Sequence, residues 1–567
     1  MPAGREREYV SLNCSWMMPE KPAGSENAAK PAGRLTRPYR IMWCDDSGGG
    51  AGGHQPPIAP EELLQISFSG LEGTPVDAYV ATIGPCAGYT LSYPTRVKGM
   101  EFIVDRLEAG AVIGGGDQWR LAQNLRHLWA EGHEPFALQL VRARQLGMDY
   151  WLQLRMNDWH HVDAEGQVYR LIGSAFYEEN PQFLIGMDGT RGWPEALRRS
   201  MAWFQDFAHA PVRALRLDAA LEACERYDVD GFEYDFMRCP GYFKYGQEQA
   251  NAPLMTQLLR DTRAGLDRIG AERHKTLGLS VRVPNTIDGA VRLGLDVPAW
   301  VAEGLIDIVV PSTFFAADTD EDAGEWVELA RDTPVRINPA IEEGYRAGYT
   351  RGYPGVPYFQ LNTPVMLPLS RPMLNAIAAR HWRQGAHGLY VFNWGGTAGT
   401  YNHDHRPALA DLGDARHLEF KDKRYVAMRR SESFPNCLPV DRVLPAALDA
   451  GPVEVEIDVV DDVQAHVNRL AQIRLLVLFR ELTPADAVTV RLNGAVLRCD
   501  NPLRSGDPAP TTAACWQMYD LRDHLPRAGK NAISIQLDAT DANFRRQVPL
   551  ELSDLELVID YGKPDGD

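Results

Sequence analysis

The chain has 567 residues, enough at roughly 100 to 200 residues per domain for three domains or for one large barrel with a satellite. Its 45% hydrophobic and 24% charged residues match soluble globular proteins and exclude a disordered or fibrous chain. A formal net charge of −18 excludes a general binder of nucleic acid or of an anionic membrane, since such partners reward clustered Lys and Arg.

Residues 1–38 read as an N-terminal arm. The opening MPAGREREYVSLNCSWMMPEKPAGSENAAK has no apolar run for a signal-peptide core, and no later segment supplies the roughly 18 apolar residues of a membrane span. The expectation is a soluble, cytoplasmic protein. The eight cysteines (Cys14, Cys44, Cys86, Cys224, Cys239, Cys437, Cys499 and Cys515) are scattered without a CxxC pair, which predicts free thiols rather than a disulfide framework or zinc site.

From residue 39 to 430, short β-rich segments alternate with helix-period segments. The predicted strands are Tyr39 to Asp46, Val76 to Gly84, Met148 to Asp158, Val229 to Arg238, Thr276 to Asn285, Ile306 to Phe314, Pro334 to Glu342 and Gly388 to Gly396. Between them lie stretches such as PFALQLVRARQLG, LRLDAALEACERYD and MLNAIAARHWRQG. Strand and helix units in this order predict an α/β fold, a parallel (β/α)8 TIM barrel, whose βα loops build the functional face. GGGAGG at Gly48 to Gly53 lacks the GxGxxG spacing and any GK[ST], so it reads as a loop rather than a nucleotide site. The long excursions between the second and third strands and from His160 to Arg213 read as walls or lids of that face. Residues 431–567 switch to strands without helices: VEVEIDVV, QIRLLVLFRE, DAVTVRLNGAVLR, WQMYDL, KNAISIQLD and DLELVIDYG. They predict an all-β sandwich of jelly-roll type, with Asn493-Gly494 as a hairpin turn.

The chemistry concentrates on the fourth strand, VDGFEYDFMR. Alternation puts Gly231, Glu233 and Asp235 on one face and Phe232, Tyr234 and Phe236 on the other. The aromatic face belongs under the helices, so the carboxylates point to the barrel axis at the C-terminal mouth. Two carboxylates in a desolvated cleft push one pKa up, giving an acid beside an anion, which is what glycosidic cleavage requires. The competing reading is a structural ion pair with Arg155, Arg238 or Arg282.

Neighbouring strand ends add Arg155, Asn157, Asp158, His160 and His161 from LRMNDWHH, and Arg282 and Asn285 from VRVPN, a mixture suited to sugar hydroxyls. In NPAIEEG, alternation favours Glu342 over Glu343 as a third carboxylate facing the mouth; Asn393 and Trp394 of FNWGG are candidates for the floor of the site. Asp45 and Asp46 close the first strand, and Asp45 is a candidate for holding a hydroxyl. His403 and His405 of NHDHRP form an HxH without an acidic partner at fixed spacing, so neither a metal nor any other cofactor is expected.

RMNDWHH, FYEENPQF, DFAHAPVR and ERYDVDGFEYDFMR together resemble a bacterial group of glycoside hydrolases with a family-10-like barrel, over Tyr39 to Trp394. The fourth strand is also similar to the DGxDxDxE strand of family 18 chitinases at Asp230, Gly231, Glu233 and Asp235, with Met237 where that family has its acid Glu. Phe232 precedes Glu233, where clan A retaining enzymes have an Asn before the acid. VRLNGAVL, YDLRDHLPRAGKNAISIQL and DLELVIDY are similar to galactose-binding-like sandwiches, which implies a module that binds sugar or braces the barrel. The resemblance implies a glycoside hydrolase with a carbohydrate substrate and with Asp235, Glu233 and Glu342 as catalytic candidates. The alternatives are a non-catalytic carbohydrate-binding barrel, or a lyase or metal-dependent hydrolase on the same fold; self-association into a homo-oligomer is left open.

Overall fold

A computed structural model of the protein describes residues 33–46, 52–87, 89–163, 165–193, 195–313, 317, 319, 321–347, 365–394, 404–427, 443–448, 451–507 and 514–562. The expectations for Gly48 to Ala51, Gly395, Gly396, His403, Cys14, Cys437 and most of the N-terminal arm lie outside the described residues.

Nine short parallel strands form one sheet: β1 (Ile41–Asp45), β2 (Val76–Thr82), β3 (Asp149–Arg155), β4 (Gly231–Asp235), β5 (Gly278–Pro284), β6 (Ile308–Ser312), β7 (Arg336–Ile337), β8 (Ala340–Ile341) and β9 (Leu389–Phe392). The spatial order is β8-β9-β1-β2-β3-β4-β5-β6-β7. Because β7 and β8 belong to one run interrupted at Pro339, that run pairs with β6 through its first half and with β9 through its second. Asn338 N donates to Val309 O at 3.0 Å, and Tyr390 N donates to Pro339 O at 2.9 Å, so the ring closes across the proline. The fold is an α/β barrel of TIM type, and each of the eight predicted strands contains one of these elements or, at the seventh, two.

The strands are buried on both faces because helices cover the outside, which is why their sequences read as near-continuous apolar runs. Helices α1 (Pro60–Phe68), α2 (Pro135–Gln145) and α3 (Ala210–Arg226) each begin with Pro in the first turn, where its missing N–H costs no helix bond. Phe232, Tyr234 and Phe236 pack outward with the helices, and the Tyr234 hydroxyl meets Thr262 Oγ1 at 2.9 Å on α4 (Glu248–Glu272).

Inside the barrel the register stacks side chains in layers. Trp151 pairs with Gly231 and Gly231 with Gly278 at the bottom; Gln153, Glu233 and Ser280 follow; Arg155, Asp235 and Arg282 form the level nearest the C-terminal mouth. Met42, Cys44, Ala78, Val80, Ile308, Val310, Ala340, Tyr390 and Phe392 pack in the same interior cluster as Trp151.

Helix α5 (Arg371–Arg383) precedes β9 and leads the chain toward two antiparallel sheets. One contains β10 (Lys423–Val426), β11 (Ala446–Ala447), β13 (Leu470–Arg480), β16 (Ala514–Asp520) and β18 (Glu551–Tyr561); the other contains β12 (Val453–Val459), β14 (Ala487–Leu492), β15 (Ala495–Val496) and β17 (Gly529–Ala539). Residues of both sheets share one apolar core, including Ile457, Leu475, Val490, Ile533 and Leu557. Asn493 and Gly494 both adopt positive φ, 49° and 88°, and close the β14–β15 hairpin as their sequence predicts. Among the described residues no helix is long and apolar enough to cross a membrane.

Candidate active site at the barrel mouth

The alternation that turns Phe232 and Tyr234 outward sends Glu233 and Asp235 inward at different depths. Glu233 lies in the middle layer, fully buried. Its Oε1 accepts from Gln153 Nε2 at 2.7 Å and Tyr390 OH at 2.6 Å, and its Oε2 accepts from Ser280 Oγ at 2.6 Å. Burial pushes this carboxyl above its ordinary value, and the three neutral donors offset the push only in part.

Asp235 stands one layer higher. Its Oδ1 accepts from the backbone N–H groups of Met237 at 2.7 Å and Arg238 at 3.0 Å, while Arg282 Nη1 lies 3.2 Å from Oδ1 and 3.1 Å from Oδ2. The other arm of Arg282 binds Glu342 Oε1, which also accepts from Ser312 Oγ at 3.0 Å. Arg282 thus joins two carboxylates, and its guanidinium packs 3.9 Å from the Phe392 ring centroid. Burial raises the Glu342 carboxyl above its ordinary value; Arg282 and Ser312 hold it down only partly. Burial opposes the charge on Arg282, yet Asp235 and Glu342 together keep its pKa raised. The ion-pair reading therefore describes Asp235 but not Glu233.

A cavity of about 370 Å³ opens over the C-terminal end of β1, with Asp45, Asp46, Arg155, His160, Arg238 and Asn393 in its wall. Asp46 continues the inward set of Met42 and Cys44. Arg155 Nε donates to Asp46 Oδ1 at 2.7 Å, and Arg155 Nη1 donates to Asp158 Oδ2 at 3.0 Å and to Pro85 O at 3.0 Å. Asp45 has the opposite parity and accepts from Tyr79 OH at 2.6 Å on the helix side of the sheet. The axial carboxylate of strand one is consequently Asp46, not Asp45.

Asp158 is fully buried, and its Oδ1 accepts from Trp159 N at 2.7 Å and His160 N at 2.9 Å and also bonds His160 Nδ1. Burial opposes its charge, but His160 and Arg155 hold the carboxyl well below its usual range. The His160 ring is 39% exposed, and its Nε2 lies 3.3 Å from Arg238 Nη2. Arg238 Nε is 3.6 Å from Asp46 Oδ2.

Of the residues expected at the site, Glu233, Asp235, Glu342, Arg282, Asp158, Asn157, His161, Asn285 and Trp394 are not in the cavity wall, and the last four of these are engaged elsewhere. Asn157 pins two loops, donating to Gln205 O at 3.0 Å and Gly241 O at 2.7 Å and accepting from Gln205 N at 3.1 Å. His161 turns into a buried pocket, with Tyr89 and Tyr177 ring centroids at 4.4 Å and 4.2 Å and Cys86 Sγ 3.4 Å from its Nδ1. The Asn285 carbonyl accepts from Trp326 Nε1 at 2.8 Å. Trp394 is fully buried, donates to Ile341 O at 2.9 Å and packs on His405, so it is core rather than an exposed sugar platform. His405 itself meets Glu343 O at 2.7 Å. Among the described residues no group of three or more His, Cys, Asp or Glu is arranged to hold a metal ion.

Gln153, Ser280, Ser312 and Tyr390 escape the sequence reading. Parity with Arg155 and Arg282 marks Gln153 and Ser280 as inward, but their common acceptor becomes visible only through the strand register.

No protein-family profile matches the chain, and no curated protein does. Among solved structures, it is similar to a class V chitinase of Pseudomonas fluorescens Pf-5, at 11% identity and a TM-score of 0.35, over 66% of this chain and 98% of that one. A glycoside hydrolase family 18 N-acetylglucosaminidase of Paenibacillus barengoltzii aligns at 13% identity and a TM-score of 0.34, over 66% and 99%. A cycloisomaltooligosaccharide glucanotransferase of Paenibacillus sp. aligns at 10% identity and a TM-score of 0.33; it covers 92% of this chain, which spans 57% of that one.

Proposed function

We propose that the protein is a glycoside hydrolase acting on an oligosaccharide or glycoside at the C-terminal mouth of the barrel. The observation that carries this reading is the pair of buried carboxylates, Asp235 and Glu342, held by the single guanidinium of Arg282. Glycosidic cleavage needs a proton donor for the leaving oxygen and an anion near the anomeric carbon, where positive charge develops. Glu342 is the donor: its raised pKa keeps a proton on the carboxyl beyond the usual carboxylate range. Asp235, bonded by two backbone N–H groups and Arg282, is the anion. Both Arg282 and Ser312 bind Oε1 of Glu342, leaving Oε2 outside that clamp for a leaving oxygen. Glu233 sits a layer beneath Asp235 on the same strand face.

A second reading, a carbohydrate-binding barrel without turnover, draws support from Glu233, whose oxygens are already occupied by Gln153, Tyr390 and Ser280. In both readings residues 39–430 form the working barrel and residues 431–567 a β-sandwich that braces it.

The test is product release from a panel of oligosaccharides and aryl glycosides. Glu342→Gln and Asp235→Asn, folded as the native protein is, are expected to lose at least about a hundredfold in kcat, the scale of general acid removal. The native rate should fall on the alkaline side as Glu342 ionises, with the midpoint displaced upward from an ordinary carboxyl; Glu342→Gln should lack that limb. Sugar binding without cleavage by the native protein would transfer the assignment to the binding barrel.

A further inference from the structure

The wall of the cavity holds a proton-accepting group that the carboxylate pair leaves unused. His160 Nδ1 faces the carboxylate of Asp158, which accepts a hydrogen bond but cannot donate one while ionised. The imidazole N–H therefore sits on Nδ1. Arg238 Nη2 lies 3.3 Å from Nε2 and can only donate, so Nε2 carries the lone pair. Two independent neighbours thus select one tautomer, with the basic nitrogen beside Arg238, on a ring that is 39% exposed and belongs to the cavity wall. The carboxylate behind it is fixed in turn by two backbone N–H groups and by Arg155. This is the arrangement by which a carboxylate orients a histidine base and stabilises the imidazolium it becomes.

Resting on the hydrolase reading, we propose that His160 is the general base that activates the attacking water, with Asp158 as its positioning residue. Water displaces the Arg238 contact at Nε2. Its O–H bond breaks as Nε2–H forms, and its oxygen bonds the anomeric carbon. The glycosidic C–O bond breaks, and the leaving oxygen takes the Glu342 proton. The proton on His160 then returns Glu342 to its acid form through solvent. Arg238 connects the two halves of the site, because its backbone N–H binds Asp235 and its side chain meets His160. The charged groups facing the imidazole are Asp158 on its own loop and Arg238 after β4, with Asp46 after β1 and Arg155 on β3 behind them.

The test uses the full chain and whichever glycoside the native protein cleaves, with His160→Ala as the main variant because the ring is partly exposed. The expected result is a kcat lower by about a hundredfold or more with KM within about threefold, loss of the acidic limb of the pH profile, and partial restoration by added imidazole. Asp158→Asn should also lower kcat and shift that limb. If His160→Ala keeps kcat within about threefold, the base assignment is overturned while the hydrolase reading stands. If the native protein cleaves no glycoside, both fall. A His160→Ala variant that loses activity without any change in its acidic limb also overturns the proposal, since a merely structural role would give that result.

Discussion

His161 and His381 are fully buried, and burial lowers the pKa of each to about 3. In the unfolded chain a histidine binds its proton below about pH 6.5. Between those values the unfolded state holds more protons than the folded one, so the stability contributed by each neutral imidazole is complete above about 6.5 and drains away as the pH falls toward 3. For His161 the slope is about 1.4 kcal/mol per pH unit within that window. Urea melts of the native protein and of His161→Gln are expected to diverge by this amount, the native protein showing the steeper loss on acidification. Parallel curves would mean that His161 already carries its charge in the fold. His160, next in the chain, has its ring partly in solvent and its nitrogens on charged partners. Nothing in the run WHH separates the two: the difference arises from which ring the loop after β3 turns under Tyr89 and Tyr177.

At the scale of the strand, simple alternation carries far. It places Glu233 and Asp235 inside, Phe232 and Tyr234 under the helices, and Glu342 rather than Glu343 on Arg282. At Asp45-Asp46 the rule has to be carried on from Met42 and Cys44, because one step of parity decides that Asp46 faces the axis and Asp45 meets Tyr79. It is silent on Arg282, whose two carboxylate partners come from strands far apart in the chain. Gly231 illustrates a further signal. A Cβ there, or at Gly278, would overlap the Trp151 indole, which fills the bottom layer of the barrel. The glycine that opens GFEYD is therefore a packing requirement of the third strand. Gly231→Ala is expected to cost about 1 to 3 kcal/mol, the range for overpacking a core, and less in a Trp151→Leu background where the indole is gone. Denaturant melts of the two single variants and the double variant measure that coupling; equal costs in both backgrounds would show that the indole is not what excludes the methyl group.

Over the whole molecule, the barrel and the C-terminal sheets are tied by polar contacts as well as by Ala376 of α5, which enters the apolar core of the sheets. Thr319 Oγ1 donates to Val426 O at 2.6 Å and accepts from Val426 N at 2.9 Å, fastening the loop after β6 to β10. Asp458 of β12 faces two arginines of α5: Arg383 Nη2 at 2.5 Å and Arg380 Nη2 at 3.4 Å, with Arg380 and Asp458 only 7% and 14% exposed. Removing that carboxylate would strand the Arg380 charge at the interface, a situation that costs about 3 kcal/mol at the lower end of the range for a broken buried pair. Asp458→Ala is therefore expected to lower the calorimetric unfolding temperature while leaving the kcat of the mouth unchanged, because none of its partners reaches the cavity. An unaltered unfolding temperature would mean that the sheets ride on the barrel without bracing it, and a fall in kcat at temperatures where the variant remains folded would mean that they shape the site itself.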